Sequence, residues 1–345
     1  MNLQFRLLVV VFCLVVMGCS KSDDSTAETI KIKEESIEFK HDGFLLKGVL
    51  AKPQNKISFP LVIFVHGDGA ADRFQQGYYK YFWKELSKKG IGYLSWDKQG
   101  VGESQGNWLS QTMDDRAREV LSAINYVKNR KDITTNKIIL WGISQGGWVI
   151  PKVSQLSDDV SSLIFQSAAV NWLRQGKYYT LLKLLNEGYS EEQILECEIY
   201  NDAGIEYLSK NAYNEYKANF EEQPDFVKNA FSLMGEQRWG FVVKNYQSDI
   251  VNDLKQVKKP VLAVFGDKDE NVDAEESLEV FKNTFLENGN KTYKSHLFKD
   301  ATHSLIDVNL LQTPEAQEQM WSKLLKGENV FAPGLIEEIL DHIEN

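Results

Sequence analysis

Cysteine is nearly absent from this chain, with three among 345 residues. Cys13 and Cys19 fall in or beside an N-terminal apolar leader, which leaves Cys197 alone in the remainder. No intramolecular disulfide can form there, and Cys197 reads as a small buried hydrophobe in a helix. Basic clusters are missing as well. Lys and Arg number 39 against 49 Asp and Glu, for a formal net charge of −10, and no basic run interrupts the chain. That excludes a nucleic-acid partner, because neutralising phosphates takes clustered Lys and Arg. No Cys/His cluster suggests a structural or catalytic metal, and no cofactor is expected. Nor is there a long hydrophobic run. Leu7–Met17 is too short to span a bilayer comfortably, since a spanning helix takes about 20 apolar residues.

The leader has a reading of its own. Met1–Arg6 carries one positive charge, and the apolar run ends in Val15-Val16-Met17-Gly18-Cys19. A small residue before a cysteine at that point resembles a bacterial lipobox. Residues 1–18 are then a lipoprotein signal peptide, and Cys19 is lipidated and becomes the mature N-terminus. An ordinary secretory signal, or a membrane anchor with an incidental cysteine, is the alternative. Ser20–Glu28 is polar and aperiodic, so residues 19–28 read as a disordered tether. Ser20 follows the lipid cysteine where the usual inner-membrane retention signal has Asp. Asp23-Asp24 resembles the acidic signals that send some lipoproteins to the cell surface. The expected address is the bacterial cell envelope, lipid-anchored at the outer membrane and facing the periplasm or the exterior.

The rest is a globular chain, 43% hydrophobic and 12% aromatic, long enough for one large α/β domain with an insertion. Ile30–Lys40 and Phe44–Ala51 flank the turn signal His41-Asp42-Gly43 and predict an antiparallel hairpin. Pro60–Val65, Ile91–Trp96, Lys137–Trp141, Val160–Phe165 and Pro260–Phe265 are continuous apolar strands of the kind buried on both faces of a parallel sheet. Helix-like stretches at Phe74–Lys89, Thr112–Lys128, Gly147–Val153 and Glu275–Asn288 alternate with them. A strand at Thr292–Phe298 and helices at Pro314–Leu325 and Gly334–Ile343 close the chain. This β-α alternation predicts a mostly parallel, doubly wound sheet. Between Asn171 and Lys255 the alternation stops and eight of the fourteen tyrosines gather. A strandless block of about 85 residues is too long for a plain loop. It is expected to be a helical lid over the carboxyl ends of the strands, so that the core comprises 29–170 and 256–345 and the lid 171–255.

The chemistry starts from Gly142-Ile143-Ser144-Gln145-Gly146, between a predicted strand and a helix. A serine flanked by glycines at such a junction has the pattern of a nucleophile elbow. It needs a base and an orienting acid, because a serine hydroxyl is a poor nucleophile unless an imidazole takes its proton. Of the five histidines, His303 alone lies in a loop just after the last predicted strand, where open α/β sheets carry their site residues. Asp267, Asp269, Glu270 and Asp273 follow the strand at Pro260–Phe265; Asp269 is the expected orienting acid and Asp267 the second choice. The oxyanion needs two backbone N–H donors. Gln145 supplies one, and His66-Gly67-Asp68-Gly69 the other, through Asp68 with Gly67 or Gly69 as alternatives. His66 reads as a structural residue shaping that loop by side-chain hydrogen bonds.

Together these segments resemble the α/β-hydrolases, of the dienelactone-hydrolase-like and serine-aminopeptidase-like esterase kind. The matches are His66–Gly69, Asp97-Lys-Gln-Gly-Val-Gly-Glu-Ser104, Gly142–Gly146, Gly266-x-x-Asp269-x-x-Val272 and His303, in the order Ser, Asp, His. The resemblance implies an α/β-hydrolase fold from about residue 30 onward and a structural role for the Asp97–Ser104 turn. Gln99 stands where relatives often have arginine, which touches a salt bridge and leaves the triad alone.

The function expected is acyl ester hydrolysis by a serine carboxylesterase acting through an acyl-enzyme on a small-molecule substrate. Peptide or other amide hydrolysis by an aminopeptidase with the same triad is the alternative, and a tethered binding protein without catalysis a third. The lid has fourteen acidic and nine basic residues, which makes no strong pocket for an anion, so a neutral acyl or aryl ester fits better. Haloalkane dehalogenation would put Asp where Ser144 stands.

Overall fold

The computed structural model of the protein describes residues 31–54 and 56–345; the leader, Cys19 and the tether lie outside the described residues. Strands β1 (Ile32–His41) and β2 (Phe44–Pro53) pair antiparallel in register His41 to Phe44. Asp42 and Gly43 between them take φ of 46° and 83°, the left-handed pair that a two-residue hairpin turn requires. β3 (Ser58–Val65), β4 (Gly92–Trp96), β5 (Thr134–Ile143), β6 (Val160–Gln166), β7 (Val261–Gly266) and β8 (Tyr293–Phe298) complete one eight-stranded sheet in the order β1-β2-β4-β3-β5-β6-β7-β8. From β4 to β8 every neighbouring pair is parallel.

The strand sequences explain the layering. Along β3, Leu61, Ile63 and Val65 enter one core while Val62 and Phe64 enter the other. Along β7, Val261, Ala263 and Phe265 alternate in the same way with Leu262 and Val264. Side chains of a strand point to opposite faces at period two, so an unbroken apolar run must be covered twice. One face carries α2 (Met113–Lys128), α3 (Ile150–Leu156), α9 (Val251–Gln256) and α10 (Ala274–Glu287). The other carries α1 (Lys80–Lys88), α11 (Pro314–Leu325) and α12 (Leu335–Glu344). α2 starts at the Thr112 capping box, in which Thr112 Oγ1 accepts from the Asp115 N–H and Asp115 returns the bond to the Thr112 N–H.

Two predicted helices start later than expected. The stretch from Phe74 holds a one-turn 3-10 segment, Gln75–Gly77, before α1 begins at Lys80. Asp72 Oδ1 accepts from the N–H groups of Phe74 and Gln76, a local bond that competes with helical pairing, and Gln75 and Gln76 are left-handed. After the glycine-serine segment a 3-10 turn, Ser144–Trp148, precedes α3, so no α-helix starts directly at Ser144.

Between β6 and β7 run α4 (Trp172–Asn186), α5 (Glu191–Lys210), α6 (Tyr213–Glu222), α7 (Asp225–Ala230) and α8 (Glu236–Asn245), followed by α9. They bury their own cluster, in which Cys197, Tyr200, Tyr216, Phe220 and Trp239 take part. The block leaves and rejoins the core at one point, where Asn171 bridges Asp249 and Ile250 N–H donates to the Val170 carbonyl.

Phe281 of α10 is fully buried among Phe165, Phe265 and Phe285, with ring centroids 5.0, 6.0 and 6.1 Å away. Phe281→Ala is expected to cost about 3–5 kcal/mol, seen as a lower urea midpoint at unchanged slope. An unmoved midpoint would show that this aromatic cluster is not what fastens α10 to the sheet.

Candidate active site

Three glycines let β5 deliver Ser144. A Cβ on Gly146 would stand 2.2 Å from the Val65 carbonyl oxygen, one on Gly142 would stand 2.7 Å from the Gly146 carbonyl oxygen, and one on Gly147 would stand 2.3 Å from Ala168 Cβ. No side chain fits at those distances. Ser144 itself takes φ +50°, a strained conformation for a residue with a Cβ, of the kind that concentrates at functional sites. Gly67, after β3, lies directly against it: a Cβ there would be 3.3 Å from Ser144 Cβ and 3.9 Å from its Oγ.

His303 and Asp269 arrive from the ends of β8 and β7. His303 Nδ1 is 2.8 Å from Asp269 Oδ2, and the Asp269 side chain is completely buried. Asp269 Oδ1 accepts from the N–H groups of Asn271 and Val272 at 2.8 and 2.9 Å. A carboxylate so placed only accepts, so Nδ1 carries the imidazole proton and Nε2 is left as the free base. The neighbouring acids are occupied elsewhere. Asp267 accepts from the Ala301 N–H, Asp273 caps α10 through the Glu276 N–H, and Glu270 accepts from Asn186 Nδ2. Gly266 makes the approach of the two loops possible, since a Cβ there would be 2.2 Å from the Ala301 carbonyl oxygen.

Ser144 and His303 line one cavity of about 470 Å³. No hydrogen bond joins Ser144 Oγ to His303 among the described residues; such contacts are often loose without substrate and tighten when it binds. The cavity wall is formed by Tyr78, Tyr79, Ile143, Ile306, Trp321 and Leu324, with the amides Gln75, Gln76, Gln175 and Asn271 and the Tyr179 ring. The helical block contributes Gln175 and Tyr179, while Trp321 and Leu324 come from α11. Sequence reasoning did not single out Trp321, because its helix carries Met320, Leu324 and Leu325 beside it. Asp68 also lines the cavity. Arg238 of α8 grips its carboxylate through both nitrogens, at 2.8 and 2.5 Å, and Gln145 Nε2 donates to it at 3.1 Å. Burial pushes the Asp68 carboxyl up, but the hydrogen bonds and charge of Arg238 outweigh it, and its pKa lies below the ordinary value.

A buried polar layer supports these loops. Arg116, the one cation on the buried face of α2, donates to Gln145 Oε1 at 2.7 Å and to the His66 carbonyl at 2.5 Å. Lys98 Nζ donates to the carbonyls of Gly67 and Gly69 at 2.5 and 2.9 Å. His66 Nε2 is 2.6 Å from the Trp96 carbonyl and Nδ1 2.7 Å from Tyr79 Oη. The carbonyl can only accept, so Nε2 bears the proton and Nδ1 accepts from the tyrosine. Burial first, then the charge of Lys98, pull the His66 pKa down to about 3. Asp97 is met by the Arg73 guanidinium at 3.0 and 2.6 Å and by the Arg73 N–H at 2.7 Å. Gln99 donates to Glu119 Oε2 at 2.9 Å beside Gln111, while Trp96 Nε1 donates to Glu119 Oε1. Neutral donors thus satisfy this buried carboxylate. Cys19, the expected lipidation site, lies outside the described residues. Among the described residues no group of three or more His, Cys, Asp or Glu is arranged to hold a metal ion.

A family model for serine aminopeptidases, S33, matches residues 58–307. A 31.7 kDa protein of Escherichia coli from the traX-finO intergenic region is 25% identical over 225 residues, covering 63% of this chain and 75% of its own length. Among solved structures, the esterase Pf2001 of Pyrococcus furiosus is similar with a TM-score of 0.54 at 17% identity, over 86% of this chain and 90% of that one. Est1E of Butyrivibrio proteoclasticus, with ferulic acid bound, gives 0.53 at 19% identity, over 90% and 100% of the two chains. At such identities the structural likeness shows the fold alone.

His66 generates a pH prediction. The folded chain refuses the proton until about pH 3, whereas the unfolded chain accepts it near 6.5. This contribution to stability is therefore complete above 6.5 and is lost as pH falls from there toward 3, by about 1.4 kcal/mol at pH 5.5. Between pH 7 and 5 the midpoint temperature should fall more steeply in wild type than in His66→Gln. Parallel slopes would place the acid sensitivity elsewhere.

Proposed function

This chain belongs to the serine aminopeptidase S33 family of α/β-hydrolases, and we propose that it cleaves neutral acyl or aryl esters through an acyl-enzyme on Ser144. The observation that carries this reading is that His303, paired with Asp269 so that its Nε2 is free, lines the same cavity as a serine at φ +50°. Ser144 Oγ attacks the ester carbonyl as its proton passes to His303 Nε2. The carbonyl π electrons move to oxygen, and that oxyanion is received by the N–H groups of Gln145 and Asp68. Collapse breaks the carbon–oxygen bond to the alcohol, which leaves with the proton from His303. Water then adds to the acyl carbon with the same base, and the acid departs as Ser144 regains its proton. Asp269 holds the tautomer and stabilises the imidazolium.

Ester rather than peptide chemistry is supported by the charge of the cavity. Asp68 is the one Asp or Glu among the described residues lining it, and Arg238 already neutralises that carboxylate. An aminopeptidase requires a free carboxylate to pair with the substrate ammonium. The helical block acts as a lid in this reading. Arg238 reaches Asp68, the Tyr178 hydroxyl donates to the Asp269 carbonyl at 3.0 Å, and Gln175 and Tyr179 form part of the wall. The leader motif supports attachment of lipid at Cys19 and display in the bacterial envelope.

A fluorophosphonate probe should label the wild type and fail on Ser144→Ala; a folded wild type that takes no label would sink the reading. On a short p-nitrophenyl ester, Asp269→Asn should lower kcat by about 10⁴-fold with Asp267→Asn near wild type, and the reverse would reassign the acid. An aminoacyl p-nitroanilide should be a far poorer substrate than that ester, and the opposite order would favour the peptidase. Palmitate incorporated in cells should vanish in Cys19→Ser, and label that persists would rule that site out.

A further inference from the structure

We propose that Lys98 is a positioning residue for the oxyanion site, holding the Gly67 carbonyl so that the Asp68 N–H faces the substrate. The proposal rests on the reading of Ser144 as nucleophile. In a trans peptide the carbonyl and the N–H that follows it lie in one plane and point in opposite directions. The Gly67 carbonyl oxygen is 2.5 Å from Lys98 Nζ on the buried side of the loop. The Asp68 N–H of that same peptide is therefore turned to the other side, where Asp68 and Gly67 line the cavity with Ser144. It donates to no protein acceptor among the described residues. The preceding peptide is held through the His66 carbonyl by Arg116, and the Gly69 carbonyl, two residues on from Gly67, by Lys98 again.

The environment of Lys98 is unusual for a cation that only braces a loop. It is 3% exposed and lies 5.0 Å from the Trp108 ring centroid, and it forms no ion pair among the described residues. Burial and the nearby Arg116 charge push its pKa well below the ordinary value. Burying an ammonium whose direct acceptors are two backbone carbonyls is costly, and a methionine of similar shape would fill the space without that cost. What the cation adds is direction and polarisation. An ammonium on the carbonyl strengthens the N–H at the far end of the same peptide as a donor, because linked hydrogen bonds reinforce one another in a low-dielectric interior.

The test is Lys98→Met in the whole enzyme, read with an aryl ester and its thiono analogue, in which sulfur replaces the carbonyl oxygen. Sulfur accepts hydrogen bonds poorly, so the rate ratio of oxygen ester to thionoester reports the oxyanion contact. Being a ratio, it does not depend on the fraction of enzyme that is folded. We expect kcat on the oxygen ester to fall about 100-fold, the scale of losing one oxyanion donor, with KM within about threefold, and the ratio to fall with it, by up to about 100-fold on that same scale. Lys98→Gln keeps a donor without the charge and is measured alongside, so that a Met variant failing to fold does not end the test. It should give an intermediate ratio. A lower kcat with the wild-type ratio in both variants overturns the proposal and leaves Lys98 a loop brace. A wild type that neither hydrolyses the ester nor takes the fluorophosphonate label overturns the Ser144 reading, and this proposal with it.

Discussion

The contact between the end of β3 and the turn after β5 governs the rest of the molecule. The Val65 carbonyl presses on Gly146 so closely that a Cβ would sit 2.2 Å away. That approach exists because β3 and β5 are parallel neighbours whose register runs to Val65 opposite Gly142. It fixes the loop at residues 66–69 beside the turn at residues 144–148, which places Gly67 on Ser144. The strained φ of Ser144 is tolerated because the packed strand ends and the two glycines leave the chain no other path. Loops at the carboxyl ends of β7 and β8 then bring Asp269 and His303 to the same place.

Beneath this contact lies a layer of buried charge whose members, the Arg73–Asp97 ion pair apart, bond to backbone and neutral side chains rather than to one another. Arg116 and Lys98 hold the carbonyls of His66, Gly67 and Gly69, and Asp97 collects the Arg73 guanidinium and the Arg73 N–H. Glu119 is answered by Trp96, Gln99 and Gln111. Charges buried in this way bring little net stability, and their physical effect is to give loops without secondary structure one defined conformation. His66 belongs to that layer as a neutral ring.

The pocket takes little of its wall from the aromatic-rich insert. The large aromatics Tyr200, Tyr216, Phe220 and Trp239 are spent on the insert's own core, because a block of helices joined to the sheet at one stem must bury its own apolar surface. The cavity draws instead on the segment before α1 and on α11, through Tyr78, Tyr79, Trp321 and Leu324. Arg238, by pairing with Asp68, ties the insert to the loop that faces Ser144. The cavity is consequently walled jointly by the segment before α1, by α11 and by the insert.

Much of this architecture was legible in the chain. Period-two burial of unbroken apolar runs predicts a parallel sheet covered on both faces, and Asp42-Gly43 predicts the hairpin. The glycines at 142 and 146 signal a turn that no side chain can enter. Those properties are local, set by φ/ψ preference and by which face each residue presents. Which of four acids meets His303, why Lys98 lacks a carboxylate partner, and how Trp321 comes to face a serine 177 positions earlier are decided by contacts between segments distant in sequence. Strand order and loop packing set those distances, and neither is encoded in any one window of residues. The sequence by itself determined the fold class and the residue types for the chemistry; only the tertiary structure decided which of them share one cavity, and what holds each in its direction.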